Sequence, residues 1–186
     1  MMEDNLLEQV QQTRLLGLTI DQHLSWQANT NQIIQKAYKR MTLLHRLYDF
    51  AVPVQDLVEI YVLYIRSVLE SSAVVWHSSL TQGQEKELER VQKVALRIIL
   101  KSQYENYENA LLVCSLLTLK DRRKALCLSF AKKCIKSTKN KDMFPLNLTS
   151  YDTRNSEKYF VTKAKKSRLA NSAIPYMQRL LNENVK

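Results

Sequence analysis

Two glycines serve the whole chain of 186 residues, and this scarcity constrains the fold more than any other feature. Tight two-residue hairpins need backbone at positive φ, which glycine supplies without steric cost. Only three prolines accompany them, so the turn residues that a many-stranded fold consumes are missing. A mostly α fold is expected. One of the two glycines, Gly17, falls in the single stretch that reads as strand, "RLLGLTIDQHLSW" at residues 14–26. There Leu16, Leu18 and Ile20 alternate with Leu15, Gly17 and Thr19, at the period of two that a half-buried strand shows. A strand by itself leaves its edges unpaired, so a partner has to be found for it.

The remainder reads as a bundle of four or five helices. Ser25 suits an N-cap, and a helix from Trp26 to about Tyr48 presents Ala37, Met41, Leu44 and Tyr48 as one stripe. Pro53 fits the first turn of a second helix. That helix, 54 to about 69, is apolar nearly all round, from Leu57 through Leu63 to Leu69, as a central helix would be. Its Arg66 and Glu70 are spaced to pair. After a break at "SSAVVWHSSLTQGQ", a third helix runs from about Gln84 to Lys101. A short one follows around Tyr107–Cys114. A fifth runs from an N-cap at Thr118 to about Thr138, with Leu119, Leu126, Phe130 and Cys134 inward and Lys132, Lys136 and Lys139 outward. From Asn140 the chain turns polar and irregular, and it closes with a short helix around Pro175. Trp26 and Trp76 read as packing residues at helix boundaries.

Charge divides the chain. Residues 1–100 carry 10 Lys and Arg against 11 Asp and Glu, while residues 101–186 carry 18 against 7. The entire positive excess therefore lies in the second half, which suggests a polyanionic partner there. The sharpest single pattern supports this. In the third helix Leu88, Val91, Ala95 and Ile98 form one face, and Arg90, Lys93, Arg97 and Lys101 form the opposite one. Cations at this spacing can follow phosphates. Glu85 and Glu89 stand beside them and damp their field, so a plain solvated face is the competing reading. "KDRRK", with Arg122 and Arg123, and "KAKKSR", with Lys163, Lys165, Lys166 and Arg168, add to the same candidate set.

Other chemistry finds little footing. Cys114, Cys127 and Cys134 are odd in number and widely spaced, which makes no disulfide framework and suits a reducing, intracellular setting in nucleus or cytoplasm. His23, His45 and His77 lie on separate elements, and the pairs that mark zinc sites do not occur. There is no phosphate-cradling glycine loop and no nucleophile elbow. No cofactor and no metal are expected. The longest apolar run is interrupted by Glu59 and Arg66, so no membrane span is expected. The acidic opening "MMEDNLLEQ" does not read as a signal peptide.

Seven pieces of the chain, in their order, resemble the C-terminal region of LINE-type, non-LTR retrotransposon reverse transcriptases. They are "LLGLTIDQHLSW", "IIQKAYKRMTLLHRL", "IRSVLESSAVVWHSSL", "ELERVQKVALRII", "LLTLKDRRKALC", "YDTRNSEKYFV" and "RLANSAIPYMQRLLN". Together they span about residues 13 to 183. In that family this region follows the catalytic palm. The resemblance implies that residues 1–25 are a poorly ordered start and a remnant strand from the edge of a preceding palm sheet. Residues 26–139 would be a helical, thumb-like domain, and residues 140–186 a basic appendage. It implies a grip on template–primer, whether RNA, DNA or hybrid, without sequence choice, and a missing palm as a further partner. It also implies what the chain lacks. The family holds its metals with a Tyr-x-Asp-Asp turn and an upstream Asp, and two metals need such clustered carboxylates. No Asp-Asp occurs, and the only adjacent acids are Glu3 and Asp4. The chain is thus expected to be no enzyme, with no catalytic residues. Two other readings stay open: a stand-alone helical protein-interaction module derived from such a fragment, and a leftover reading frame without a function of its own.

Overall fold

The stretch that reads as one strand is two. The computed structural model describes residues 10–147 and 158–184. In it β1 (Gln12–Leu15) and β2 (Leu18–Asp21) form an antiparallel hairpin, with Thr13 opposite Ile20 and Leu15 opposite Leu18. Leu16 and Gly17 make the turn, at φ 48° and 84°. A two-residue type I′ turn requires positive φ at both positions, and its twist matches that of the flanking strands. The chain spends one of its two glycines here, and the segment pairs with itself. The burial differs too. Thr19 is the buried residue of the hairpin, held by its N–H on Asn29 Oδ1 (3.3 Å) and its hydroxyl on Gln32 Oε1 (2.7 Å). The expected disordered start falls on residues 1–9, outside the described residues.

Apart from one isolated antiparallel bridge, Leu146 to Tyr159, the other regular structure among the described residues is helical, as the composition leads one to expect. Helix α1 (Gln27–Asp49) buries Ile33, Ala37, Met41 and Leu44. Its N-cap position is held by Trp26 in the left-handed region, not by Ser25, whose hydroxyl accepts the Gln27 N–H at 3.3 Å. The next seventeen residues form one continuous rod: α2 (Val54–Ile60), a π-helical turn (Tyr61–Arg66) and α3 (Ser67–Glu70). Residues four apart drift forward around a regular α-helix, and the wider π turn sets that drift back. Leu57, Tyr61, Ile65 and Leu69, each fully buried, therefore stay on one face. The rod is not buried all round. Leu63 is 75% exposed and Tyr64 43%, because α1 and α5 cover only one side of it. An apolar sequence does not by itself guarantee cover.

Helix α4 (Ala73–Trp76) and a 3-10 turn (His77–Ser79) fill the expected break. Helix α5 (Gln82–Leu100) starts two residues before the expected point, because Thr81 and Gln84 form a capping box. It buries Leu88, Val91, Ala95 and Ile98, as its pattern demands. It runs parallel to α1. At one end Gln84 Nε2 donates to the Ser25 carbonyl (2.9 Å), and at the other Lys101 Nζ lies 3.8 Å from Asp49 Oδ1. Both tryptophans pack as expected: Trp26 and Trp76 belong to the core, and Trp76 Nε1 donates to the Ser71 carbonyl.

A buried polar node ties the rod to the later helices. Gln92 on α5 is wholly buried. Its Oε1 accepts from Tyr61 Oη (2.6 Å), and its Nε2 donates to Tyr107 Oη and the Leu117 carbonyl, both at 2.9 Å. Tyr107 opens α6 (Tyr107–Val113), and its hydroxyl donates to Glu89 Oε1. That carboxylate also accepts the Leu119 N–H at the start of α7 (Leu119–Lys136). Burial first, and for Tyr107 the bonded Glu89 carboxylate next, pushes both phenols far above the ordinary tyrosine range. Both remain neutral donors at any physiological pH.

Helix α7 serves two cores. Leu119 packs in the first, with α1, the rod and α5. Cys127, Ala131 and Cys134 belong to a second, with Phe144, Tyr159 and Met177, Leu180 and Leu181 of α9 (Ala173–Glu183). The inward stripe differs from the expected one. Leu126 is half-buried and Phe130 41% exposed, while Arg123, Cys127 and Ala131 take the interior. The three thiols are buried and free, and burial raises Cys127 to about 11, so they serve as packing groups. The expected appendage packs back through α9, preceded by the single turn α8 (Ser167–Ala170). Among the described residues no helix is long and apolar enough to cross a membrane.

Among the described residues seven other than glycine stand at positive φ, at helix ends and turns: Leu16, Leu24, Trp26, Ala51, Ser72, Lys101 and Ser115. Of these, Ala51, Ser72, Lys101 and Ser115 stand at or just past helix C-termini, where glycine is the usual stop.

The exposure of the rod gives a direct test. Leu63→Asp should melt within about 0.5 kcal/mol of the parent, as surface changes do. Ile65→Asp, two residues on and wholly buried, should lose several kcal/mol and fail to show a cooperative helical transition by circular dichroism. Equal behaviour of the two variants would contradict this facing of the rod.

Candidate nucleic-acid interface

The cations that the sequence groups together meet different fates. Arg90, Lys93 and Arg97 share one face of α5, opposite its buried stripe, while Lys101 caps the helix just beyond it, at φ 41°, and reaches the end of α1. Arg90, Arg97 and Lys101 are exposed and Lys93 is half-buried. Three of them stand over tyrosine rings: Lys93 Nζ lies 4.9 Å from the Tyr107 centroid, Arg97 Cζ 5.3 Å from Tyr104, and Lys101 Nζ 3.7 Å from Tyr48. Each such contact holds a charge in position without neutralising it, at about 0.5–1 kcal/mol where exposed.

The acids beside this face form bonds of their own. Glu89 accepts from Tyr107 and from the α7 N-terminus, and Glu85 pairs with Lys120 at 3.0 Å. Among the described residues Arg90, Lys93 and Arg97 have no carboxylate partner. Only Lys101 does, with Asp49 at 3.8 Å, and that pair is open to solvent and weak. The tyrosines are what the sequence reading missed. The signal was present: Tyr104 and Tyr107 stand three apart just beyond a helix that ends in cations.

The "KDRRK" cluster does not form a common surface. Arg122 Nε lies 3.1 Å from Glu70 Oε1, and the same carboxylate takes Arg66 at 3.4 Å. The Arg66–Glu70 pair expected from their spacing is therefore present, and Arg122 joins it as a third member rather than facing solvent freely. Arg123 corrects the reading more sharply. It is 0% exposed and cannot meet a phosphate. Helical spacing places it on the Leu119–Cys127–Ala131 face, between the two cores. Its Nε donates to His77 Nδ1 at 3.3 Å, and its two Nη atoms have no hydrogen-bond partner. Its guanidinium lies 5.7 Å from the Trp76 ring. Burial lowers its pKa despite Glu89, Glu85 and Glu70 nearby. Burial first, then the charges of Arg123 and Lys120, hold His77 down to about 4. The imidazole is thus neutral, with Nδ1 free to accept.

Lys163, Lys165, Lys166 and Arg168 are all exposed, in the irregular segment that leads into and begins α8. They form a second cationic stretch with no ion pair among the described residues. Among those residues, no three His, Cys, Asp or Glu side chains gather as a metal site would need.

A buried charge with unpaired donors costs stability, and replacing such groups by apolar ones of similar volume is often neutral or stabilising. Arg123→Met should therefore melt no lower than the parent and up to about 3 kcal/mol more stably. Its binding to any nucleic acid should be unchanged. A loss of several kcal/mol on thermal or urea melting would mean that the guanidinium has stabilising partners besides His77.

No family model, curated protein or solved structure matches this chain.

Proposed function

We propose that this chain is the thumb-like C-terminal part of a retroelement RNA-directed DNA polymerase and that it holds template–primer through phosphate contacts without reading sequence. The observation that carries the reading is the α5 face. Arg90, Lys93 and Arg97 repeat at helical spacing without a carboxylate partner among the described residues, Lys93 and Arg97 are braced on tyrosine rings, and Lys101 follows just beyond the helix, over Tyr48 and beside Asp49. Bracing reduces the side-chain freedom lost on binding, which is one of the main costs of association. The hairpin fits the same reading. Among the described residues β1 pairs only with β2, and its outer edge suits the continuation of a preceding palm sheet. Such a role belongs inside the cell, in nucleus or cytoplasm.

A second reading, a helical module for a protein partner, draws on a different feature. Leu112, Val113 and Leu117, at the end of α6 and beyond, are 78%, 56% and 58% exposed. A cluster of this kind marks interaction sites more often than isolated exposed leucines do.

Salt separates the two. If the α5 cations touch phosphates, log affinity falls linearly with log salt, with a slope of about −0.7 to −0.9 per phosphate neutralised. Arg90→Gln, Lys93→Gln and Arg97→Gln combined should reduce that slope by roughly 2–3 and weaken binding alike for unrelated sequences. An unchanged slope on duplex, single strand and hybrid would leave the face as solvated surface and move the protein-partner reading ahead.

The proposal gives the chain no catalysis of its own, since polymerase chemistry needs clustered carboxylates for two metals. Purified protein with primer, template, dNTPs and Mg²⁺ or Mn²⁺ should extend nothing. Extension that survives re-purification would count against the fragment reading.

A further inference from the structure

On the other flank of α1 lies a groove that none of the cationic stretches on α5, α7 and α8 reaches. It runs between the hairpin, α1 and α3 and has a volume of about 290 Å³, near the lower bound of ligand clefts, about 300 Å³. Arg14 comes from the hairpin, Lys36 and Arg40 from α1, and Ser67 and Ser71 from the end of the rod. Among the described residues no carboxylate lines it. Arg40 is fixed, with its guanidinium 4.3 Å from the Tyr64 ring and Nη1 donating to the Tyr64 carbonyl.

One lining residue also carries a buried donor that the fold leaves unused. Asn29 lines the groove and is 2% exposed. Its Oδ1 accepts the Thr19 N–H, but its Nδ2 has no hydrogen-bond partner. Buried donors are rarely left unpaired, because they lose water without gaining a replacement. Three cations and two hydroxyls, with no acid among the described lining residues and an unpaired amide donor buried behind them, make a site for an oxyanion with several acceptor oxygens.

We propose that this groove is a phosphoryl-binding site, taking the phosphate of a nucleotide or of a nucleic-acid strand. It is separate from the α5 face. Its lining residues come from the hairpin, α1 and the end of the rod, and none of them belongs to α5 or to the tyrosines that brace its cations. The site therefore stands or falls independently of the thumb reading.

The test uses the full chain and four probes: inorganic phosphate, adenosine monophosphate, and a hexanucleotide with either a 5′-phosphate or a 5′-hydroxyl. Titration calorimetry at low salt reads binding. At least one probe should bind, and the Arg14→Gln/Lys36→Gln variant should weaken that binding at least tenfold. Both side chains are exposed, so the variant should melt like the parent. Asn29→Asp keeps the acceptor for Thr19 and puts a carboxyl group where the amide was, and it should weaken the same binding at least as much. The Arg90, Lys93 and Arg97 triple variant should retain it. A strand that binds tighter with its 5′-phosphate and is displaced by inorganic phosphate identifies a terminal monoester as the ligand. Equal binding of both strands, lost in Arg14→Gln/Lys36→Gln, identifies an internal diester. If no probe binds, or if every probe binds the double variant as it binds the parent, the groove is not a phosphoryl site.

Discussion

Gln92 is the point on which the helical arrangement turns. A single amide, closed off from water, joins the π turn of the rod through Tyr61, the start of α6 through Tyr107 and the loop before α7 through Leu117. Apolar contacts set how much the core contributes, at about 25 cal/mol per Å² buried, but they tolerate sliding. The amide does not, because any shift that parts it from one partner leaves a buried polar atom unpaired. The π turn is the local deformation that brings Tyr61 to it while keeping the four-residue stripe inward. The register of α6 and α7 against α5 depends on the same node, and with it the position of Tyr107 under Lys93.

Much of this is legible in the sequence, for reasons that differ element by element. The α5 faces read correctly because a strict 3.6 period leaves one solution. The starts of α6 and α7 read correctly because Thr118 and the residues around Tyr107 carry local capping chemistry. The hairpin reads wrongly because alternation runs unbroken through Leu15–Leu18, and only the backbone reveals that Leu16 adopts positive φ beside Gly17. The facing of Leu63 is hidden because an all-apolar helix has no polar side to mark what lies uncovered.

The cations make the same point in charge. Arg122 and Arg123 are neighbours in one basic pentapeptide, yet one completes a surface triad with Glu70 and the other is sealed beside His77. A charge count treats them alike; a helical turn of 100° between neighbours separates them. Conversely the tyrosines that brace the α5 face, and the cationic groove beside the hairpin, draw on residues from distant parts of the chain. Arg14, Lys36 and Ser67 have no common pattern in sequence, so only tertiary contact could assemble them.

The stops made without glycine have an outcome for how such a chain can change. A side chain held at positive φ costs about 1–2 kcal/mol where the conformation is fully left-handed. The turns and helix ends therefore carry a distributed strain. Glycine at Ala51, Ser72 or Ser115 would release part of it and touch no candidate site, which leaves these positions as reserves for greater heat resistance. Lys101 is different. It is held at φ 41° and is also the last cation of the α5 face, over Tyr48. Relief at that position would remove a charge from the interface, so there thermal robustness and grip are set against each other in a single residue.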